Sequence, residues 1–250
     1  MNSINFFFIN LQRRPDRRYA IERQCERLGI NAVFVEAFDA QQLPAPPASA
    51  LSSGEIACYR SHHRVWSMLV EQQLARAVVF EDDIELDARL DAVCRELAAL
   101  PLDVDLVRLG SLMPVRGSRV ATLSSGHQLV APSCNGSGAH AYFLTRAGAR
   151  SLLARFGEPR QPVDRVMDQA WRNGLRALVV APALATPIDA LGSDIASCGR
   201  RAPRAPRAAW LMRKLERHWR RARAMAWAWQ LRSRLHPAVP RLTGRRALPI

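Results

Sequence analysis

The stretch VVFEDDIEL, Val78 to Leu86, sets three apolar residues directly against three consecutive acids before apolar residues resume. Val78, Val79 and Phe80 read as the end of a buried strand. A core does not accept Glu81, Asp82 and Asp83, because an unpaired buried carboxylate costs several kcal/mol. The strand must therefore surface at Glu81. Whatever waits there has to tolerate three negative charges side by side.

Outward from that strand the pattern alternates. Upstream, Ile4 to Leu11 (INFFFINL) reads as a buried strand, Pro15-Asp16 opens a helix stopped at Gly29, and residues 31–36 form a second strand. Ser52 and Glu55 fit a capping box that starts a helix with Ile56, Val65, Trp66, Leu69 and Val70 on its apolar face. Downstream, a helix running to Leu97 starts at Asp87 or Asp91, and strands are expected at 105–109, 119–123, 127–131, 139–144 and 177–181. Helices are expected at 146–156, capped by Thr145, and at 164–171. Strands alternating with helices predict an α/β domain with a mostly parallel sheet. The chain has no Gly-x-Gly-x-x-Gly after its first strand, no phosphate-loop Gly-Lys-Ser/Thr and no Gly-x-Ser-x-Gly. These absences weigh against a dinucleotide enzyme, a P-loop kinase and the common α/β serine hydrolases.

The 250 residues suffice for one well-buried domain of about 200 residues plus an appendage. The formal charge of +14 resides wholly in residues 200–250, where fifteen Arg or Lys face the single acid Glu216. Residues 1–199 are neutral, with twenty-one of each sign, so the domain boundary is placed at 199/200. Lys214 is the only lysine, a bias that fits a GC-rich bacterial genome. The five cysteines are widely spaced, no two at metal-ligand spacing, and read as reduced thiols of a cytoplasmic protein. The first residues carry neither the leading charge nor the apolar length of a signal peptide, and no segment approaches the roughly 20 apolar residues that span a bilayer.

In open α/β sheets, ligands bind beyond the carboxyl ends of strands, which is where Glu81, Asp82 and Asp83 lie. Alternation puts Glu81 and Asp83 on one side and Asp82 on the other. Two convergent carboxylates repel unless a cation lies between them, and hard oxygens favour Mg²⁺ or Mn²⁺. Such an ion completes its shell with substrate phosphates, making the strand end a diphosphate clamp. The competing reading is a solvated turn or a helix cap.

Four segments together resemble glycosyltransferase family 25, whose bacterial members build lipooligosaccharide. They are Ile9-Asn10-Leu11-Gln12-Arg13-Arg14-Pro15-Asp16-Arg17-Arg18; Gly54-Glu55-Ile56-Ala57-Cys58-Tyr59-Arg60-Ser61-His62 with Trp66; Phe80-Glu81-Asp82-Asp83-Ile84; and Gly138-Ala139-His140-Ala141-Tyr142, followed by Gly148-Ala149 and Pro162-Val163-Asp164. The resemblance covers residues 4–170. It implies an inverting transferase of GT-A type, with Glu81-Asp82-Asp83 where the family's Asp-x-Asp-like motif belongs. It further implies a UDP-hexose donor, commonly UDP-galactose, and a saccharide of lipooligosaccharide as acceptor.

Within that frame Asp83 contacts the metal, and Glu81 reaches it through water or binds the ribose hydroxyls. Asp82 bonds to backbone or to an arginine, or joins the donor site. Arg14 and Arg18 are suited to phosphate or to stacking on uracil, the alternative being a solvated helix start. Asn10 bonds uracil or the following turn. His62 is either part of the donor site or a packed histidine, and His63 is expected on the surface. Gly138 closes a Gly-rich loop that can approach a sugar closely, and His140 bonds acceptor or phosphate or is a satisfied core residue. Inversion needs one base for the acceptor hydroxyl. Asp164 is the first candidate for it. Asp168, four residues on and on the same helix face, either orients an acceptor hydroxyl or pairs with Arg165 or Arg172. Asp189 and Asp194 are reserve candidates.

The segment 200–235 interleaves arginine with Trp210, Trp219, Trp227 and Trp229. If helical, it aligns Leu211, Leu215, Trp219, Ala222, Ala226 and Trp229 as one apolar stripe, the pattern of a helix lying on an anionic membrane surface. A lipid-linked acceptor agrees with a position on the cytoplasmic face of the inner membrane. Nucleic acid is the lesser alternative, because it leaves the neutral body and its acidic strand end unexplained.

Overall fold

The computed structural model describes residues 4–44, 51–100, 103–133, 138–169, 173–188, 222 and 225–233. In chain order the elements are β1 (Asn5–Asn10), α1 (Pro15–Leu28), β2 (Ala32–Glu36), a 3-10 turn (Ala40–Gln42), α2 (Ser53–Glu71), β3 (Arg76–Glu81), β4 (Ile84–Leu86) and α3 (Leu90–Ala99). There follow β5 (Leu106–Arg108), β6 (Gly117–Thr122), β7 (Gln128–Pro132), β8 (Ala141–Thr145), α4 (Arg146–Arg155), α5 (Val163–Asp168), β9 (Ala177–Ala181) and β10 (Ala185–Pro187).

Eight strands make one sheet in the order β2-β1-β3-β8-β5-β9-β7-β6. The pairings set β2, β1, β3, β5, β9 and β6 in one sense and β8 and β7 in the other. The sheet is thus mostly parallel, as expected, with β8 inserted between β3 and β5. The residues 199/200 boundary lies outside the described residues.

Alternation along the strands divides the core. Phe6, Phe8, Val78 and Phe80 face one layer, formed by α1 and α3, whereas Phe7, Ile9, Ala77 and Val79 face α2, α4 and α5. Phe8 and Phe80 stack with ring centroids 4.9 Å apart. Both are fully buried, each contributing about 2–3 kcal/mol of transfer free energy.

Local signals end the elements where expected. Gly29 adopts a left-handed φ of 65° and closes α1 through its N–H to Glu26 and that of Ile30 to Cys25. The capping box of α2 is complete, with Ser52 N–H donating to Glu55 Oε2 at 2.9 Å and Glu55 N–H to Ser52 Oγ at 3.2 Å. Thr145 Oγ1 caps α4.

The two-stranded sheet of β4 and β10 adds to the expected pattern, which assigns no strand between the acids and the helix starting at Asp87 or Asp91 and none after 177–181. Three residues on each side pair antiparallel, Ile84 opposite Pro187 and Leu86 opposite Ala185. Asp82 and Asp83 therefore form a tight connection between β3 and β4 and not a free loop.

Residues 225–233 are helical, with Ala228 and Leu231 buried in the α1/α3-side cluster and Trp227 packed against it. The opposite face carries Ala222, Met225, Ala226 and Trp229, all exposed. Three residues of the predicted interfacial stripe are thus on the outer face; Leu211, Leu215 and Trp219 lie outside the described residues. No helix among the described residues is long and apolar enough to cross a membrane.

Candidate active site at an acidic strand end

β1 and β3 are parallel neighbours with Ile9 opposite Glu81, so their carboxyl ends open together. A cleft open to solvent lies there, lined by Arg13, Arg17, Cys58, Ser61 and His62 with Glu81, Asp82 and Asp83.

The alternation that splits the core also splits the acids. Phe80 faces α1, so Glu81 faces α2, where its Oε1 is 3.3 Å from His62 Nε2 and 3.8 Å from Cys58 Sγ. Asp82 turns to the other layer and is buried. Arg17 Nη1 donates to its Oδ1 at 2.8 Å, and Asn10 Nδ2 to its Oδ2 at 2.7 Å. Asp83, on the turn, lies 3.5 Å from Arg17. Its backbone carbonyl accepts from Ile188 N–H at 2.8 Å, which ties the segment after β10 to the acidic turn.

A relay stands behind Glu81. The Trp66 indole N–H donates to Tyr142 Oη at 3.0 Å, and that oxygen lies 2.9 Å from His62 Nδ1. The indole is donor only, so the phenol oxygen accepts from it, and His62 bridges that oxygen and the Glu81 carboxylate, to which its Nε2–H donates. Burial works to raise the Glu81 carboxyl, but the His62 hydrogen bond and charge outweigh it and hold the group below its usual range. Asp83 goes the opposite way. Burial, then repulsion from Glu81, pushes it up to about 6, with Arg17 only partly offsetting them. Burial and the Glu81 charge likewise push the Cys58 thiol up, and Asp164 is near enough to add to the effect. Two partly exposed carboxylates beside a cleft, one of them raising the other's cost of ionisation, fit a hard dication; Glu81 and Asp83 would hold it.

The other predicted residues divide. His62 lies at the cleft and is fully buried, and Asn10 is spent on Asp82 and the Arg14 carbonyl. Arg14 pairs with Asp16 at 2.7 Å, drawing that carboxyl down to about 2. Arg18 pairs with Glu22 at 2.9 Å and lies over the Phe34 ring at 4.3 Å, on the outer side of α1. Arg14 and Arg18 do not line the cleft. Arg13 and Arg17 do, Arg13 donating to Asp39 at 2.8 Å. His63 is half-buried against Tyr59 and Trp66 and not on the surface, because α2 is flanked on that side as well.

His140 is buried beneath β3, its carbonyl accepting from Glu81 N–H at 2.9 Å. Burial outweighs the pull of Glu81 and keeps its ring below the usual pKa. Gly138, with a left-handed φ of 90°, gives its carbonyl to the Arg108 guanidinium. Asp168 accepts from Arg108 at 2.7 Å with both side chains nearly sealed, a partner the sequence did not suggest; Arg172 lies outside the described residues. Asp164 is half-buried and accepts from the Arg165 N–H. Asp189 and Asp194 lie outside the described residues.

Sequence reasoning missed Arg17, Arg108 and Cys58. Cys58 had a signal: it is one helical turn before His62, so both project from the same face of α2.

Residues 3–167 match the model of a family described as glycosyltransferase family 25 (LPS biosynthesis protein). A Bos taurus protein named probable inactive glycosyltransferase 25 family member 3 is 32% identical over 75% of this chain and 37% of its own length. The Danio rerio procollagen galactosyltransferase 1 is 27% identical over 75% of this chain and 37% of its own. The chain thus spans a little over a third of the length of these curated relatives. Among solved structures, a glycosyltransferase involved in glycosylation of the major capsid of PBCV-1 is 10% identical, covers 78% of this chain and 95% of its own, and superposes with a TM-score of 0.44. With the family match extending over well more than half its residues, the chain belongs to glycosyltransferase family 25.

Proposed function

We propose that the protein is a metal-dependent inverting glycosyltransferase that moves a hexose, galactose in the first instance, from a UDP-sugar to a saccharide of lipooligosaccharide. The observation that carries this reading is the pair Glu81 and Asp83 lining one open cleft at a strand end, with burial and repulsion from Glu81 holding the Asp83 carboxyl up. Mn²⁺ or Mg²⁺, held there, supplies charge neutralisation for the departing diphosphate. Arg13 and Arg17 add positive charge on the same wall. Asp82 acts indirectly, fixing Arg17 and Asn10 in place. His62 sets the orientation of Glu81 through the Trp66–Tyr142 relay.

Asp164 is the base that takes the acceptor proton. Its charge is felt at Cys58 on the cleft wall, whereas the Asp168 carboxylate is neutralised by Arg108. The exposed stripe of residues 222–229, with the arginines of 200–235, rests on the anionic cytoplasmic face of the inner membrane beside a lipid-linked acceptor.

The relative named inactive favours a second reading, a silent member that keeps the fold and serves in assembly of the polysaccharide machinery. Calorimetric titration of UDP with Mn²⁺ and then with EDTA, on the native chain and on Asp83→Ala, separates the two. Metal-dependent binding lost in Asp83→Ala supports the transferase. No binding to a folded chain supports the silent member.

A further inference from the structure

Cys58, His62 and Glu81 bring three different donor types together. Sγ, Nε2 and a carboxylate oxygen all lie within 4.8 Å of one another. We propose that these three side chains are a binding site for a thiophilic dication of the Zn²⁺ class, which shares Glu81 with the hard-cation end formed with Asp83 and differs from it in the other two ligands.

The spacing carries the argument. A tetrahedral zinc with the usual bond lengths sets its nitrogen and carboxylate oxygen about 3.3 Å apart, and its sulfur and oxygen about 3.6 Å apart. The distances here are 3.3 Å for His62 Nε2 to Glu81 Oε1 and 3.8 Å for Cys58 Sγ to the same oxygen. Two of the three separations are thus within a few tenths of an ångström of the tetrahedral values, and the third, Sγ to Nε2, is within 4.8 Å.

The scaffold is stiff. Cys58 and His62 project one turn apart from the 19-residue helix α2, whose first turn is locked by its capping box. Glu81 ends a central strand. The imidazole is fixed from behind by Tyr142, itself fixed by Trp66, which is the outer-shell support that metal-binding histidines require. All three ligands line the cleft, so the fourth position opens to it.

The donor set selects the ion. A thiolate with an imidazole suits Zn²⁺, whereas Mg²⁺ and Mn²⁺ prefer oxygen. On loading, the Cys58 thiol releases its proton to solvent, and the sulfur lone pair forms the metal bond. Nε2 binds through its lone pair, with the ring proton carried on Nδ1 and donated to Tyr142 Oη. Thiolate and carboxylate then balance the ion's two charges. Nothing in this assignment depends on which sugar nucleotide occupies the cleft.

The test is titration of Co²⁺, a spectroscopic stand-in for zinc, into the full chain after EDTA treatment. The expected result is one equivalent bound, with tetrahedral d–d bands and a thiolate-to-cobalt charge-transfer band, displaced by one equivalent of Zn²⁺. Cys58→Ser is expected to lose the charge-transfer band and to weaken Zn²⁺ binding by more than about 100-fold, beyond the effect of losing an outer-shell partner. His62→Gln should weaken it similarly, each variant being checked for an unaltered near-UV circular dichroism. Asp83→Ala, which removes the hard-cation end, should keep the cobalt spectrum. An octahedral spectrum without the charge-transfer band on the native chain overturns the proposal. So does a band that survives Cys58→Ser.

Discussion

Arg17 Nη1 and Asp82 Oδ1 meet at 2.8 Å beneath the cleft, with only 4% and 7% of their side chains exposed. One comes from the arginine-rich turn after β1 and the other from the acidic end of β3, so this pair joins the chain's two most charged short motifs. Removing one partner leaves the other as a buried, uncompensated charge. Arg17→Ala is expected to lower stability by about 3–5 kcal/mol in urea unfolding. The double variant Arg17→Met, Asp82→Leu should recover most of that loss. If Arg17→Ala unfolds like the parent chain, the pair is not a structural clamp.

Asp83 is held in the opposite balance. Its folded pKa of about 6 lies above the ordinary 3.8, from burial first and Glu81 second. The folded state therefore binds the proton more tightly than the unfolded one. The resulting penalty is fully present above pH 6 and disappears as the pH falls below about 4. Asp83→Asn is accordingly expected to stabilise the metal-free protein by on the order of 2 kcal/mol at pH 7.5 and by nothing at pH 3.5. Added Mn²⁺ should raise the melting temperature of the parent but not of Asp83→Asn. A variant less stable than the parent at pH 7.5 without metal would contradict this.

Much of the architecture is legible in the residues because the determinants are local. The Ser52–Glu55 box, the Gly29 stop and the Thr145 cap each act within four residues of themselves. The acidic run exposed the site because charge has so few tolerable places at a strand end. What stayed hidden depends on partners distant in sequence. β4 and β10 are three residues each and find one another across about a hundred positions. Four arginines in six positions carry no mark that Arg17 alone turns inward; Asp82, 65 residues on, decides it. Arg108 reads as part of a plain apolar strand until Asp168 appears beside it.

Gly110 is another position silent in the sequence. A Cβ there would sit 2.5 Å from the Ala185 carbonyl oxygen and would also collide with the His140 ring. Neither the backbone of β10 nor a buried ring can retreat cheaply. Gly110→Ala should cost about 1–3 kcal/mol, with a matching loss of melting temperature. Gly157→Ala, where nothing approaches a new Cβ, is the control expected to leave stability within about 0.5 kcal/mol.

The capping box offers a graded test of how far helix α2 positions the site. Ser52→Ala removes the acceptor for Glu55 N–H, and Glu55→Ala removes the acceptor for Ser52 N–H. Each should cost about 1 kcal/mol. The double variant should cost less than the sum, because either single change already opens the reciprocal motif. Full additivity in chemical unfolding would show that the two bonds act independently.

Asp164 and Asp168 share one short helix yet are in different electrostatic positions, and the choice of base rests on that difference. The Asp168 carboxylate is engaged by the buried Arg108 guanidinium at 2.7 Å, which leaves it poorly placed to take an acceptor proton. Asp168→Asn strands the Arg108 charge, so it should destabilise the fold by about 3 kcal/mol, and activity should fall with the folded fraction. Asp164 is half-buried, bonded only to the neighbouring Arg165 N–H among the bonds described, and an Asn oxygen can still accept that bond. Asp164→Asn should leave stability within about 0.5 kcal/mol while lowering kcat by about 10²–10⁴-fold with little change in UDP binding. Parallel urea melts, UDP titrations and transfer assays on the two variants read out the difference. A folded Asp168→Asn with lost kcat beside an active Asp164→Asn would reverse the assignment of the base.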